Sequence, residues 1–193
     1  QLFQQQTIAQ LAAIAQTKSV TLAPQDQLSG PFSLSPIQHW FFENFQADPN
    51  HFNQSVYLEV SDSAEVLSLQ RALEYLMTHH DLLRSTFQID LDTPENTKAH
   101  IQSSVNFDGI RLHDLSALGV TERNTQISSL ASQLQSSMDI GAGDLVKAAL
   151  FKIGNSEPNR LLIIIHHLVV DGISWRILLN DLDSLLNQIH NNE

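Results

Sequence analysis

A run of five aliphatic residues, 161–165, constrains the fold of this 193-residue chain more than any other segment. It is much shorter than the roughly 20 residues of a membrane-spanning helix, and it predicts the most deeply buried strand of a sheet. A second apolar segment, 145–153, precedes it, and the polar residues 154–159 between them predict a β-hairpin. We therefore expect the core to form around this hairpin.

Helical and strand patterns interleave irregularly before and after the hairpin. Apolar residues at helical spacing predict one helix that begins at Pro36 and three more at 64–80, 121–138 and 174–190. Alternation and short apolar runs predict further strands at 52–60, 83–89, 99–103 and 110–115. This order of elements is typical of an α/β sandwich with a mixed sheet.

Local signals define where these helices begin. Ser35 is a suitable N-cap for the first helix, and Pro36 is a suitable first helical residue. Ser63 and Ser174 are the predicted N-caps of helices 64–80 and 174–190. The inward face of the first helix is predicted to be an apolar stripe of Ile37, Trp40, Phe41 and Phe45.

The first 32 residues are predicted to lie outside this domain. Residues 1–16 show helical spacing in Ala- and Gln-rich company, whereas 17–32 have the Pro, Gly, Ser and Thr content of a linker. The N-terminus has neither a start Met nor the basic region of a signal peptide. We expect the chain to be a segment of a longer polypeptide.

Composition excludes several classes of function. The chain has 10 Lys and Arg against 21 Asp and Glu, a net charge of −11, which disfavours nucleic acid and anionic membranes as partners. It has no cysteine, so disulfides and thiolate–zinc sites are excluded, and a reducing compartment is compatible with its composition.

The segment after the buried strand carries the candidate chemistry. His166 and His167 end the strand, and strand alternation predicts that their rings point to opposite faces. An imidazole whose tautomer is held by its neighbours is a suitable general base in a partly dry channel. Asp171 is placed to brace this loop, and Gly172 is predicted to take a backbone shape that other residues avoid.

Other interpretations of the histidines remain open. A histidine-rich strand end is more often structural than catalytic. A metal site is disfavoured, because adjacent histidines on a strand rarely chelate one ion and no H-E-x-x-H pattern occurs. The pair His79 and His80 ends a predicted helix, where a partly positive imidazole suits the helix dipole. We interpret that pair as a helix terminus and predict no bound metal.

Four segments together resemble a known family. Residues 166–172 match H-H-x-x-x-D-G, the signature of condensation-type domains of nonribosomal peptide synthetases, shared with chloramphenicol acetyltransferase-like acyltransferases. Residues 36–41, PIQHWF, and 171–179, DGISWRILL, resemble the epimerization subtype, whereas condensation domains more often read S-x-A-Q-x-R-L-W and D-G-W-S there. Residues 80–87, HDLLRSTF, resemble the family's second motif. The resemblance covers about residues 33–193.

The resemblance implies a fold and a reaction. The fold is a chloramphenicol acetyltransferase-like sandwich, in which a mixed, largely antiparallel sheet is flanked by helices, and 33–193 form the N-terminal one of two lobes. The reaction is inversion of the α-carbon of an aminoacyl or peptidyl thioester by removal and return of a proton. Condensation, which forms a peptide bond, and a non-catalytic module that docks a carrier remain the alternatives.

It also implies roles for individual residues. His167 would be the catalytic acid and base, whereas His166, Asp171, Gly172 and Arg84 would be structural members of the site. Asp171 is expected to pair with Arg84 and so to hold the loop that carries His167. The second catalytic group would be a Glu of the other lobe, beyond residue 193, so this chain alone is expected to be inactive.

The remaining implications concern partners. Residues 1–12 resemble the last helix of a peptidyl carrier domain, so 1–16 would be its final helix and 17–32 the linker that follows. The chain itself would bind no cofactor, because the phosphopantetheine thioester arrives on the carrier. The expected partners are this carrier, in cis, and the C-terminal lobe of the same domain, in a cytoplasmic protein.

Overall fold

The structure is a computed structural model of the chain. It describes residues 26–45, 47–90, 92–154 and 157–191, together with the single positions Thr7 and Ala9. Most of the predicted carrier helix and the first part of the predicted linker lie outside the described residues. Among the described residues, none of the helices combines the length and apolar character that crossing a membrane requires.

A four-stranded mixed sheet forms the centre of the molecule. Its order is β2 (Asn53–Val60), β7 (Asn159–His166), β6 (Val146–Lys152) and β5 (Ile110–Asp114). Strand β7 is antiparallel to both of its neighbours, and β5 pairs with β6 in parallel. The predicted hairpin is confirmed: its strands β6 and β7 occupy the two inner positions, where nearly every side chain is buried.

Helices cover both faces of this sheet. On one face, α2 (Val66–His79) and α4 (Gly172–Asn191) bury Leu73, Leu76 and Leu178 against the strands. On the other face, α3 (Val120–Gln135) buries Leu134 against Phe151 and its neighbours. Strand alternation divides the side chains of β6 and β7 between these two cores. The predicted arrangement of a mixed sheet flanked by helices is therefore confirmed.

A second sheet has three antiparallel strands in the order β1 (Gly30–Phe32), β4 (Lys98–Ile101) and β3 (Ser85–Gln88). The patterns predicted β3 and β4 but placed residues 30–32 in the linker. In the structure these residues pair with 99–101, and Phe32 packs edge-on against Phe87. A three-residue strand has too little periodicity to be distinguished from a linker, and only its pairing defines it.

Helix α1 (Pro36–Asn44) begins as predicted but presents a different face to the core. Ser35 and Gln38 form a capping box, and the Gln38 amide also donates to the Leu168 carbonyl at 3.0 Å. Gln38 is therefore buried together with Phe41 and Phe42, whereas Ile37 is 67% and Trp40 47% exposed. The prediction is confirmed for Phe41 and wrong for Ile37 and Trp40, because Gln38, a polar residue with satisfied hydrogen bonds, took an inward position.

Candidate active site

The two histidines lie where β7 ends and the loop to α4 begins. Their rings take different environments, as strand alternation predicts: His166 is fully buried, whereas His167 is half-buried. The loop that follows, residues 167–171, is short and leads directly into α4 at Gly172. The backbone N–H of His167 donates to the Phe52 carbonyl at 2.7 Å, which fixes the loop against the start of β2.

Both ring nitrogens of His166 are hydrogen-bonded to the backbone of the chain. Its Nε2 lies 2.8 Å from the Pro49 carbonyl oxygen, and its Nδ1 accepts the Leu168 N–H at 3.3 Å. Since a carbonyl can only accept, the proton of this ring is on Nε2. Burial lowers the pKa of His166 to about 4, so the ring is neutral at pH 7. The ring is fully buried, so it is not accessible from the surface of the chain.

His167 has the opposite arrangement. Its Nδ1 lies 2.7 Å from the Val170 carbonyl oxygen, so Nδ1 carries the proton in the neutral ring. Its Nε2 lies 3.1 Å from the side-chain nitrogen of Gln54, and its ring stacks on Phe52 with centroids 4.9 Å apart. The Nε2 lone pair is therefore the position at which this ring can accept a proton, as a general base does.

Asp171 does not pair with Arg84, contrary to the prediction. One carboxylate oxygen accepts hydrogen bonds from the Ser174 N–H at 2.7 Å, the Ser174 hydroxyl at 2.7 Å and the Ile173 N–H at 3.0 Å. These bonds, with the Ser174 N–H first, hold the pKa of Asp171 below its ordinary value. Asp171, rather than the predicted Ser174, therefore caps α4.

Gly172 is the first residue of α4, and its φ is not in the left-handed region that the prediction invoked. A Cβ built at this position would meet no atom within 4 Å among the described residues. The backbone of this chain therefore does not require a glycine here.

Arg84 is instead the centre of a buried hydrogen-bond cluster. Its guanidinium is paired with Asp81 at 2.7 Å in the 3₁₀ turn Asp81–Arg84. It also donates to the carbonyls of Leu28, Met77, Thr78 and Gln102. Two of these, Met77 and Thr78, lie in the last turn of α2, where carbonyls have no partner within the helix. Arg84, which directly precedes β3, thus joins the end of α2 to the residue after β4 and to the chain before β1.

Sequence reasoning missed three residues of these networks. Asp81, the partner of Arg84, lies three positions before it in the H-D-x-L-R motif, a spacing at which side chains of a helical turn meet. Gln54 contacts both Trp175 and the His167 ring, and no local pattern connects Gln54 with Trp175 because they lie 121 residues apart. The polar Gln54 on the inward side of a half-buried strand was the one available signal.

Two clefts of the described chain lie beside α2 and α4, and the second is also lined by Val169 and Ser174, on either side of Asp171. A cleft of about 490 Å³ between α2 and α4 is lined by Tyr75, His79 and Asp181, and another of about 480 Å³ by His80, Leu82 and Ile177. His167 lines neither of them. We therefore attach the candidate chemistry to the His167 ring and not to either cleft.

One group of metal-ligating side chains occurs among the described residues. Ligand atoms of His79, His80 and Asp181 lie within 4.8 Å of one another. The His80 Nε2 is 2.8 Å from the Asp181 carboxylate, a hydrogen bond that ties the end of α2 to α4. Helix α2 ends at His79, and His80 is its C-cap, as the interpretation of this pair as a helix terminus predicts.

Comparison with known families settles the relationship. The sequence model of the condensation domain matches residues 29–193. The chain belongs to the condensation domain family. Relatives of this condensation-family chain include a linear gramicidin synthase of Brevibacillus parabrevis, 41% identical over 97% of the chain. The chondramide synthase of Chondromyces crocatus is 42% identical over 98% of the chain. The chain spans only 4% and 5% of these two proteins, respectively.

Solved structures have the same fold. The epimerization domain from the third module of tyrocidine synthetase B superimposes with a TM-score of 0.77 and 34% identity, covering 89% of this chain and 38% of that one. The first condensation domain of the CDA synthetase gives a TM-score of 0.70 at 19% identity, covering 84% of this chain and 41% of that one. The predicted chloramphenicol acetyltransferase-like fold is thus confirmed, and the chain corresponds to less than half of such a domain.

Proposed function

We propose that this chain is the N-terminal lobe of an epimerization domain of a nonribosomal peptide synthetase. The observation that carries the proposal is the His167 ring, bonded through Nδ1 so that Nε2 is the proton-accepting atom, at the motif of the condensation domain family. The motifs at 36–41 and 171–179 support the epimerization subtype, as does the 34% identity with the tyrocidine epimerization domain against 19% with the CDA condensation domain.

In this proposal His167 transfers the α-proton of a carrier-bound aminoacyl or peptidyl thioester. The C–H bond breaks, the proton moves to Nε2, and the electron pair is held as an enolate of the thioester. A proton then returns to the opposite face of the α-carbon from an acid of the C-terminal lobe. The thioester hangs on the phosphopantetheine arm of a carrier domain in cis, so the substrate brings its own thiol and the chain needs no cofactor.

The test replaces His167 in the intact domain that contains this chain. His167→Ala should lower the rate of α-proton exchange into deuterated water by about 100-fold or more, because the general base is lost. The measurement is mass spectrometry of the loaded carrier, with chirality analysis of the released amino acid. His190→Ala, an exposed histidine at the end of α4, is the control and should keep the wild-type rate. An unchanged exchange rate in His167→Ala contradicts the assignment.

The same experiment separates the alternatives. Condensation is the second candidate because condensation domains share the fold at TM-scores of 0.65 to 0.70. An unchanged mass with altered chirality indicates epimerization, whereas a mass gain on the acceptor carrier indicates peptide-bond formation. Carrier binding without either change supports a docking module.

A further inference from the structure

Beyond the histidine motif, the structure assigns a positioning pair to the site. We propose that Gln54, held in one orientation by Trp175, fixes the orientation and tautomer of the His167 ring, so that Nε2 is the unprotonated nitrogen and faces the Gln54 amide. The inference rests on the proposed role of His167 in proton transfer. It adds to the site two residues that are neither of the two histidines nor Asp171 or Gly172: Gln54 on β2 and Trp175 in α4.

The donor and acceptor groups fix the direction of each hydrogen bond from Trp175 through Gln54 to His167. The indole nitrogen of Trp175 can only donate, and it lies 3.0 Å from the Gln54 side-chain oxygen. The other end of the Gln54 amide is therefore the NH₂ group, which lies 3.1 Å from the His167 Nε2 and must donate to it. The His167 Nε2 is then an acceptor and unprotonated. The Val170 carbonyl at Nδ1 independently requires the same tautomer.

The three side chains are held by separate elements of the fold. Gln54 lies on β2 opposite Ile165 of β7, and so is one strand away from the histidines. Trp175 is buried in the first turn of α4, where its backbone N–H bonds to the Asp171 carbonyl at 3.1 Å. Because a strand, a loop and a helix each fix one member, the amide cannot change its direction without breaking at least one of these bonds.

This arrangement has no acceptor for a proton on Nε2 of His167 while the Gln54 contact is in place. A proton on Nε2 would point at the NH₂ group of Gln54, so two donors would face each other. Rotation of the amide by 180° would relieve that contact but would turn its NH₂ group toward the indole N–H of Trp175. Gln54 and Trp175 act as positioning residues through His167.

Gln54→Glu gives the sharpest test, because a carboxylate can only accept. With acceptors at both nitrogens, the His167 ring should become doubly protonated at neutral pH. The ¹⁵N spectrum of the histidine-labelled intact domain reports this state, and the His167 signal is assigned by its loss in His167→Ala. The exchange of the α-proton should fall roughly 10- to 100-fold, since the base is already occupied. Ser55→Glu adds the same charge on the exposed face of β2 and should leave the ring neutral.

Two further variants keep the test decisive. Gln54→Leu cannot donate, so the ring should stay neutral while its Nε2 shows the ¹⁵N shift of a nitrogen that has lost its hydrogen bond. Trp175→Phe frees the amide to rotate and should shift the Nε2 signal, whereas Trp40→Phe, at an exposed tryptophan, should not. A folded Gln54→Glu domain with a neutral ring, or an unchanged Nε2 shift in Gln54→Leu, would overturn the proposal. The spectra stand even if the domain condenses rather than epimerises.

Discussion

Adjacent histidines of the same motif carry their protons on opposite nitrogens. His166 donates from Nε2 to Pro49, and His167 is bonded through Nδ1 to Val170. The difference arises because each ring meets a backbone carbonyl on a different side of the strand end. One ring is fully buried with its proton on Nε2, and the other is half-buried with Nε2 unprotonated.

The buried His166 should make the stability of the chain depend on pH. Its folded-state pKa of about 4 lies below the ordinary value of 6.5, so the unfolded chain binds more protons between these two values. The contribution of this group to stability is therefore complete above pH 6.5 and decreases as the pH falls toward 4. From pH 7 to pH 5 the loss attributable to this group is about 2 kcal/mol.

Urea unfolding at both pH values measures this dependence. His166→Asn has no titrating ring and should lose that part of the pH dependence, whatever its stability at pH 7. His190→Ala should keep the wild-type dependence. Equal slopes in wild type and His166→Asn would contradict the assignment of the pH dependence to His166.

Arg84 should be one of the most sensitive positions for stability. Arg84→Leu removes the partner of Asp81 and leaves buried carbonyls at the end of α2 without donors, at a cost of about 3 kcal/mol or more. Arg84→Lys should rescue only a part, because an ammonium cannot reach the same acceptors in a planar fork. Denaturant unfolding of each variant measures the cost, with exposed Arg176→Leu as the control. A near-neutral Arg84→Leu would show that the cluster contributes little.

At the scale of elements, the first turn of α4 holds the loop that carries His167. Asp171 caps this helix, and the buried Trp175 side chain in its first turn donates to Gln54. One helical turn therefore connects the cap, the loop and the Gln54 contact. The sequence predicted the helix and its approximate start from its apolar spacing. It did not predict which of two neighbouring polar residues is the cap, since both Asp and Ser are good caps and only the backbone geometry distinguishes them.

Asp171→Ala should loosen this turn. The loss of the cap should lower the Tm by roughly 2–4 °C, whereas Asp171→Asn, which can still accept the N–H bonds, should lose less. Because the folded-state pKa of Asp171 is below its ordinary value of 3.8, the advantage of the wild type over Asp171→Ala is present above that pH. It should disappear as the pH falls through the folded-state pKa. Thermal unfolding at neutral and acidic pH checks both points, and an equal Tm for all three proteins would contradict them.

At the scale of the whole molecule, the layered arrangement follows from the sequence. Continuous apolar strands such as 161–165 require cover on both faces, and three amphipathic helices supply it. What local patterns cannot predict is long-range pairing. The second sheet with its short β1 and the Gln54–Trp175 contact both depend on which distant segments meet. The expected Asp171–Arg84 pair, which was inferred from a motif, also depended on a contact between distant segments.

The hydrogen bonds of His166 limit where a labelled proton taken up by His167 can go. Under the proposed mechanism, a proton captured by His167 cannot pass to its neighbour in the chain, because His166 is buried with a proton on Nε2 and with Nδ1 accepting the Leu168 N–H. It can leave only through Nε2, on the side from which it came. His167 alone would therefore return a labelled α-proton to the same face of the α-carbon. Exchange of the label with solvent, or inversion of the α-carbon, then measures how often a different group donates the returning proton.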